Sequence, residues 1–146
     1  GCNEKFGVPV YIHRRDLELL KDARLNLSSL IGTTHSATYQ ILPLEDKQTI
    51  GLKDVQMQVI HTPGHTAGGI CLLMKKPKDK ILLSGDTLFC HGVGRADFPG
   101  ASESQLLRSI RERLLVLPDD TVVYPGHGPS TTIAAEKANN PFLSGD

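Results

Sequence analysis

Val59-Ile60-His61-Thr62-Pro63-Gly64-His65-Thr66 is the stretch on which the assignment of the fold rests. In this stretch an apolar strand ends near a glycine, and a residue that can bind a metal follows the glycine directly. The same order recurs in Ile81-Leu82-Leu83-Ser84-Gly85-Asp86-Thr87 and in Val122-Val123-Tyr124-Pro125-Gly126-His127-Gly128. Each glycine permits a tight turn where a strand ends, so the next side chain can point over the sheet edge. The pattern predicts that His65, Asp86 and His127 converge at one edge of a sheet.

Two imidazoles and one carboxylate form a ligand set that suits zinc, iron(II) or manganese. Taken singly, each residue also has a purely structural interpretation. His65 could be a turn histidine bonded to a carbonyl, Asp86 could cap the turn that it starts, and His127 could be a loop residue without a task. The repetition of one design three times favours the metal site.

The rest of the sequence predicts strands mixed with helices. Val55, Met57 and Val59 alternate with glutamines, which is the period-two pattern of a half-buried strand that runs on to Ile60. Ser102 with Gln105 fits a capping box at the start of the longest helix. The other predicted elements are a hairpin of Ile70–Met74 and Ile81–Leu83, strands over Val8–Ile12, Thr49–Leu52 and Thr121–Tyr124, helices over Arg14–Ala23, Ser102–Leu117 and Ala134–Asn139, and a loop over 25–40. This mixture indicates an α/β or α+β layered domain.

Composition narrows the class of protein. The 146 residues suit a single domain, residues 1–146, and sixteen basic residues balance sixteen acidic ones. The balance argues against a nucleic-acid or anionic-membrane partner, and no apolar stretch is long enough to span a bilayer. The three cysteines form no C-x-x-C pair, which argues against a disulfide framework and against a cysteine zinc site. We therefore expect a reduced, cytoplasmic setting.

Five motifs carry a resemblance to a known family. They are T-P-G-H-T (62–66), S-G-D-T-L-F (84–89), G-V-G-R-A-D-F-P-G (92–100), Y-P-G-H-G-P-S-T-T-I (124–133) and N-N-P-F-L (139–143). In this order they resemble the glyoxalase II (hydroxyacylglutathione hydrolase) members of the metallo-β-lactamase superfamily. The resemblance implies an αββα sandwich with the metal site at one edge.

The resemblance also implies roles for individual residues. His65 would bind a first metal, His127 a second, and Asp86 would bridge both. The intact site would hold two zinc ions, with iron or manganese as possible substitutes, and Asp86 would position an activated water as the nucleophile. Arg95 would face an anionic substrate such as a glutathione carboxylate. An equally open interpretation is that Arg95 ties its loop to Asp97 or to a backbone carbonyl.

The sequence departs from the family at one point, because the superfamily motif His-x-His-x-Asp-His occurs nowhere in it. That motif supplies the other four ligands, so we expect a partial domain that lacks the N-terminal part of the fold. The missing segment, or self-association, would then cover the exposed sheet surface.

The expected function of the intact protein is hydrolysis of a small-molecule thioester. A persulfide dioxygenase-like iron enzyme and a non-catalytic remnant or interaction module are the alternatives, and a β-lactamase is disfavoured. Among the other histidines, His13 is expected to be exposed and structural. His91, beside Cys90, is a lesser candidate for contact with substrate or metal.

Overall fold

The computed structural model describes residues 7–22, 24–26, 40–75, 80–97 and 100–144. The chain divides into two compact units, Gly1–Glu45 and Asp46–Asp146. The single domain over residues 1–146 stays a prediction. Among the described residues, no helix combines the length and the apolar character that crossing a membrane requires.

The first unit contains two short parallel strands. Strand β1 (Val10–His13) pairs with β2 (Ile41–Leu44), and a 3₁₀ helix (Arg14–Leu20) follows β1 directly. The predicted strand over Val8–Ile12 therefore starts later, after Pro9, which has no N–H to donate to a ladder. Strand β2 was not predicted, since Pro43 lies inside its apolar run and argues against a strand. Most of the predicted loop over 25–40, and Ala23 at the end of the predicted helix, lie outside the described residues.

The expectation that His13 is exposed was wrong. Its side chain is buried, with 4% of the residue accessible to solvent. Its Nδ1 accepts a hydrogen bond of 3.3 Å from the backbone N–H of Arg15, so His13 caps the 3₁₀ helix. A capping side chain folds back over the helix start, which is why a strand-end histidine followed by two arginines can still be buried.

The second unit is built on a six-stranded sheet with the order β10-β9-β6-β5-β4-β3. Its strands are β3 (Thr49–Leu52), β4 (Val55–His61), β5 (Ile70–Lys75), β6 (Lys80–Gly85), β9 (Val122–Pro125) and β10 (Thr131–Thr132). The predicted hairpin is confirmed as β5 and β6, which are antiparallel. Strands β6 and β9 run parallel, with Gly85 in register with Pro125. This parallel pair brings two of the predicted strand ends to the same edge of the sheet.

The core of this unit lies between one face of the sheet and its helices. Ile60 pairs with Cys71 and Leu82 pairs with Val123 across neighbouring strands, so these four side chains share a face. A short hairpin and two helices complete the unit: β7 (Leu88–Phe89), β8 (Gly92–Val93), α1 (Glu103–Ser109) and α2 (Ile133–Asn139). The helical segments and the hairpin add further apolar side chains to this cluster, namely Leu88, Leu106, Ile110, Leu114 and Ile133.

The predicted helix over Ser102–Leu117 is shorter and less regular than expected. Helix α1 passes into a π-helical turn (Ile110–Leu114) and ends there. The Ser102 hydroxyl accepts a 3.4 Å hydrogen bond from the Gln105 N–H, which is half of the predicted capping box. The other half is not formed, because the Ser102 N–H donates to the Gly64 carbonyl at 2.8 Å. The start of the helix is thus bound to the turn that precedes His65.

A partly buried ion pair joins three parts of the second unit. Arg113, in the π-helical turn, donates to both carboxylate oxygens of Asp46 at 2.8 and 2.9 Å, and the His61 N–H donates to the same carboxylate at 2.8 Å. Burial by itself raises the pKa of Asp46. The hydrogen bonds from His61 and Arg113 outweigh that effect, and the pKa lies below its usual value of 3.8. The ionised carboxylate is therefore the form that stabilises the fold.

We expect Asp46→Asn to lower the free energy of unfolding near neutral pH by about 1–2 kcal/mol, because it removes charged hydrogen bonds that are only partly screened by water. Since the folded pKa of Asp46 is depressed, this contribution is present above the usual carboxyl pKa and is lost as the pH falls through the folded value. Urea unfolding at several pH values measures the difference. The matched control is Asp120→Asn, at an exposed pair with Lys80, with an expected loss of about 0.5 kcal/mol or less. Equal losses in the two variants would contradict the prediction.

Candidate metal centre

The structure brings the three predicted side chains together. His65 Nε2 lies 3.8 Å from Asp86 Oδ2, and His127 Nε2 lies 3.9 Å from Asp86 Oδ1. The predicted convergence is confirmed. Each imidazole faces a different oxygen of one carboxylate, which places Asp86 between the two histidines. Both separations are too long for a hydrogen bond.

The hydrogen bond on the far side of His65 determines which ring nitrogen carries the proton. His65 Nδ1 lies 2.8 Å from the backbone carbonyl of Arg95. A carbonyl oxygen can only accept, so Nδ1 is the donor and the Nε2 of the neutral ring presents a lone pair. In that tautomer the Nε2 atom and a carboxylate oxygen of Asp86 are two potential ligand atoms that face each other 3.8 Å apart, an arrangement that fits a metal ion.

His127 is held by an aromatic contact that the sequence analysis did not predict. Its ring stacks on Phe89, with centroids 4.5 Å apart and planes at 30°. The side chain is 77% exposed, and the Phe89 ring covers one face of the imidazole. The residues are 38 positions apart in the sequence, and no local pattern could have linked them. Phe89 lies in β7, three residues after Asp86, and thus belongs to the same turn region.

Two glycines let the backbone lie directly against Asp86. A Cβ atom on Gly126 would lie 2.6 Å from Asp86 Oδ1, and one on Gly94 would lie 1.9 Å from the Asp86 carbonyl oxygen and 3.4 Å from His65 Nδ1. Atoms at such distances overlap, so neither position accepts a side chain without a shift of the backbone. Gly126 also donates its N–H to the Gly85 carbonyl at 2.8 Å. The carboxylate position is therefore set by backbone packing on both sides.

Beneath the strand ends lies a buried cluster of small polar side chains. The Thr62 hydroxyl is 3.2 Å from that of Thr87 and 3.4 Å from Cys71 Sγ, and Ser84 donates to the Leu88 carbonyl at 2.7 Å. Burial raises the pKa of the Cys71 thiol to about 11. Cys71 is therefore a neutral thiol at physiological pH. These hydrogen bonds fix the strand ends from which His65 and Asp86 project.

Arg95 forms an ion pair with Asp97, which is the contact expected if Arg95 ties its own loop together. Its Nε and Nη2 donate to the two oxygens of Asp97 at 3.0 and 2.9 Å, and this pairing holds the pKa of Asp97 below its usual value. The guanidinium remains largely exposed, at 78% of the side chain. The backbone carbonyl of Arg95 accepts a hydrogen bond from His65 Nδ1. The loop therefore positions the candidate metal ligand His65 through its backbone, independently of what the Arg95 guanidinium binds. The role of Arg95 in substrate binding stays a prediction.

Comparison with known families agrees with this geometry. A model described as the metallo-beta-lactamase superfamily matches residues 3–127, which is most of the chain and includes the three candidate ligands. This chain belongs to the metallo-β-lactamase superfamily. The predicted fold class is thereby confirmed, and metal binding and hydrolysis are the properties that its relatives support.

Two curated relatives of the superfamily carry informative names. The chain is 37% identical over 143 residues to probable metallo-hydrolase YqgX of Bacillus subtilis, covering 97% of this chain and 67% of that protein. It is 40% identical over 100 residues to hydroxyacylglutathione hydrolase GloC of Haemophilus influenzae, covering 68% of this chain and 46% of that protein.

Two solved structures are also similar to this chain. The BLEG-1 B3 metallo-beta-lactamase superposes with a TM-score of 0.84 at 38% identity, over 98% of this chain and 68% of the other. TTHA1623, solved in a di-iron-bound form, superposes with a TM-score of 0.78 at 38% identity, over 97% of this chain and 68% of the other. The second structure shows that a relative takes iron, so the superfamily assignment does not select zinc.

The contact between Gly126 and Asp86 yields a prediction about this superfamily site. Gly126→Ala should lower the free energy of unfolding by about 1–3 kcal/mol, because the added methyl overlaps the Asp86 carboxylate. Gly92→Ala is the matched control, since its Cβ would meet Phe89 at an ordinary 3.7 Å, and we expect a change within roughly 0.5 kcal/mol. Urea unfolding of both variants provides the measurement. A neutral Gly126→Ala would show that the carboxylate is free to move.

Proposed function

We propose that this protein is a metal-dependent thioester hydrolase of the glyoxalase II type. The observation that carries the proposal is the placement of one histidine against each oxygen of Asp86. The thioester class rests on the similarity to the Haemophilus influenzae relative named as a hydroxyacylglutathione hydrolase. Zinc is the proposed metal, with iron as the alternative that the di-iron-bound relative suggests. The cytoplasmic setting remains part of this proposal.

The side chains of this site suit a pair of divalent ions. His65, Asp86 and His127 would supply protein ligands to these ions. A divalent ion, when bound, lowers the pKa of water towards neutrality and polarises a carbonyl group. The bond from His65 Nδ1–H to the Arg95 carbonyl fixes the ring and increases the basicity of Nε2. The stacking contact with the Phe89 ring limits rotation of the His127 imidazole.

Arg95 would supply recognition of a negatively charged substrate. A guanidinium has five N–H donors, and Asp97 takes two of them. The remaining donors lie on an exposed side chain, on a loop whose backbone contacts His65. A thioester that carries a carboxylate, such as a glutathione conjugate, fits this arrangement.

β-Lactam hydrolysis is the second candidate, although the sequence motifs disfavoured it. One observation supports it: the BLEG-1 structure, described as a B3 metallo-beta-lactamase, superposes closely on this chain. Parallel assays with S-lactoylglutathione and with nitrocefin separate the two activities. Turnover of nitrocefin without turnover of the thioester would replace the first proposal by the second.

The 146 residues hold three of the ligands that the family resemblance implies, since the His-x-His-x-Asp-His motif is absent. We therefore predict that this chain alone binds Mn²⁺ weakly, with Kd in the micromolar range or above, and hydrolyses thioesters poorly. His127→Gln should remove the weak binding. His61→Gln should not, because the His61 ring contacts the Ala67 carbonyl, which the glutamine amide can also reach. Calorimetric titration measures the binding.

Two results would overturn this account. Tight binding of two ions together with efficient thioester turnover by the chain alone would mean that other residues complete the site. Binding that survives both Asp86→Asn and His127→Gln would mean that the ions bind elsewhere.

The alternative functions need separate tests. A version of the chain extended by a segment that carries the superfamily motif should bind two ions, and failure to do so favours a non-catalytic module. If the iron-loaded form consumes a persulfide and does not hydrolyse a thioester, the alternative function of a persulfide dioxygenase-like enzyme is favoured. Sedimentation velocity of the same samples tests self-association.

The pair of Arg95 and Asp97 allows a test of substrate recognition. If Arg95 binds a substrate carboxylate, Arg95→Gln should weaken binding of glutathione by about 10- to 100-fold, the value of a charged hydrogen bond. Asp97→Asn should leave that affinity unchanged or strengthen it, because it frees two donors. Calorimetry with glutathione gives both constants. If Arg95 only ties the loop, the two variants should behave alike.

A further inference from the structure

A second group of potential metal ligands lies at the tip of the β7–β8 hairpin. Cys90 and His91 form the turn between these strands, and Glu136 lies on α2. One ligand atom from each of the three side chains lies within 4.8 Å of the other two. The Nδ1 of His91 is 3.9 Å from Glu136 Oε1. None of these residues belongs to the site formed by His65, Asp86 and His127.

Glu136 is fully buried, which is rare for a carboxylate that has no lysine or arginine paired with it in the described part of the chain. Its hydrogen-bond donors are neutral: the Thr131 hydroxyl at 2.6 Å, the Asn140 amide at 2.7 Å and the His91 backbone N–H at 3.1 and 3.2 Å. Within the described part of the chain, no lysine or arginine forms an ion pair with it. These donors reach both carboxylate oxygens but bring no formal positive charge, which a bound cation would supply.

The hairpin backbone already holds His91 in place beside this carboxylate. His91 has a φ of 57°, in the left-handed region that few non-glycine residues adopt. Its backbone N–H donates to Glu136 while its side chain lies over the same carboxylate. A strained conformation that is fixed by a buried acceptor is typical of a functional or structural constraint.

We propose that Cys90, His91 and Glu136 form a separate divalent metal site with a preference for zinc. A thiolate, an imidazole and a carboxylate are ligands that zinc accepts together, and a thiolate disfavours manganese and magnesium. Binding replaces the S–H bond of Cys90 by a sulfur–metal bond, and the released proton passes to solvent. The positive charge would balance the buried Glu136 carboxylate. The absence of a C-x-x-C pair argued against a cysteine zinc site, whereas the ligands proposed here include Glu136 on α2, far away in the sequence.

This site would act on the first one through a single neighbouring residue. Phe89, which stacks on His127, directly precedes Cys90. A metal bound by Cys90 and Glu136 would join the hairpin to α2 and restrict the movement of the Phe89 ring. The ion bound by Cys90, His91 and Glu136 would therefore have a positioning role rather than a catalytic one.

The test is titration of the metal-free chain with Co²⁺, which shows a charge-transfer band in the near ultraviolet when it binds a thiolate. We expect this band to reach its full height when one Co²⁺ ion is bound at this site, and to disappear in Cys90→Ser. It should persist in Cys2→Ser and in the double variant His65→Gln/His127→Gln, so the result is independent of the proposed hydrolase site. Cys71 is fully buried, so its sulfur is not accessible to the added ion. Zn²⁺ should displace the Co²⁺.

Two further variants test the remaining ligands. His91→Gly, which the left-handed backbone accepts, and Glu136→Gln should each weaken Co²⁺ binding by at least about tenfold, the lower end of the loss for an outer-shell partner. Since Glu136 is fully buried, the fold of Glu136→Gln is checked by circular dichroism, and His91→Gly keeps the test independent of that variant. Absence of the band in the unsubstituted chain, or its survival in Cys90→Ser, would overturn the proposal. Unchanged affinity in His91→Gly would do the same.

Discussion

The candidate centre depends on the close packing of backbone around Asp86. Gly94 and Gly126 approach its carbonyl and its carboxylate so closely that no side chain fits at either position. Gly85, with a φ of 52°, provides the turn from β6 into Asp86 that a residue with a side chain rarely adopts. Three chain segments therefore meet at Asp86, and the two histidines lie on either side of its carboxylate.

Strand order explains why residues so distant in sequence can share this carboxylate. Parallel pairing of β6 with β9 brings Gly85 and Pro125 into register, so Asp86 and His127 leave the sheet at the same edge. His65 arrives from β4, on the far side of β5, and its turn is anchored by the bond from the Ser102 N–H to the Gly64 carbonyl. Helix α1 thus packs the core and also fixes the turn before His65. The contacts of helix α1 therefore stabilise the core and also set the position of His65.

Local patterns predicted the parts of the structure that local physics controls. Alternation in β4, the β5–β6 hairpin and the glycine turns at His65, Asp86 and His127 could all be found from the sequence, since each is encoded within a few residues. The missed features depend on contacts between distant residues. Ser102 was expected to complete a capping box, but its N–H meets Gly64 from another turn. Likewise, Phe89 beneath His127 and Glu136 beside His91 come from tertiary packing that no spacing rule describes.

The position of Glu136 illustrates how one buried charge can shape a site from a distance. A carboxylate removed from water is unfavourable unless its oxygens are satisfied, and here Thr131, Asn140 and the His91 backbone do so. Asn140 also donates to the Gly92 carbonyl in β8, so the network holds both the tip and one strand of the hairpin. The hairpin lies between Asp86 and Gly94 in the sequence, and a Cβ atom on Gly94 would overlap the Asp86 carbonyl. The hairpin that carries Phe89 is thus held by the Glu136 network at its tip and by the hydrogen bond from the Gly94 N–H to the Thr87 carbonyl at its base.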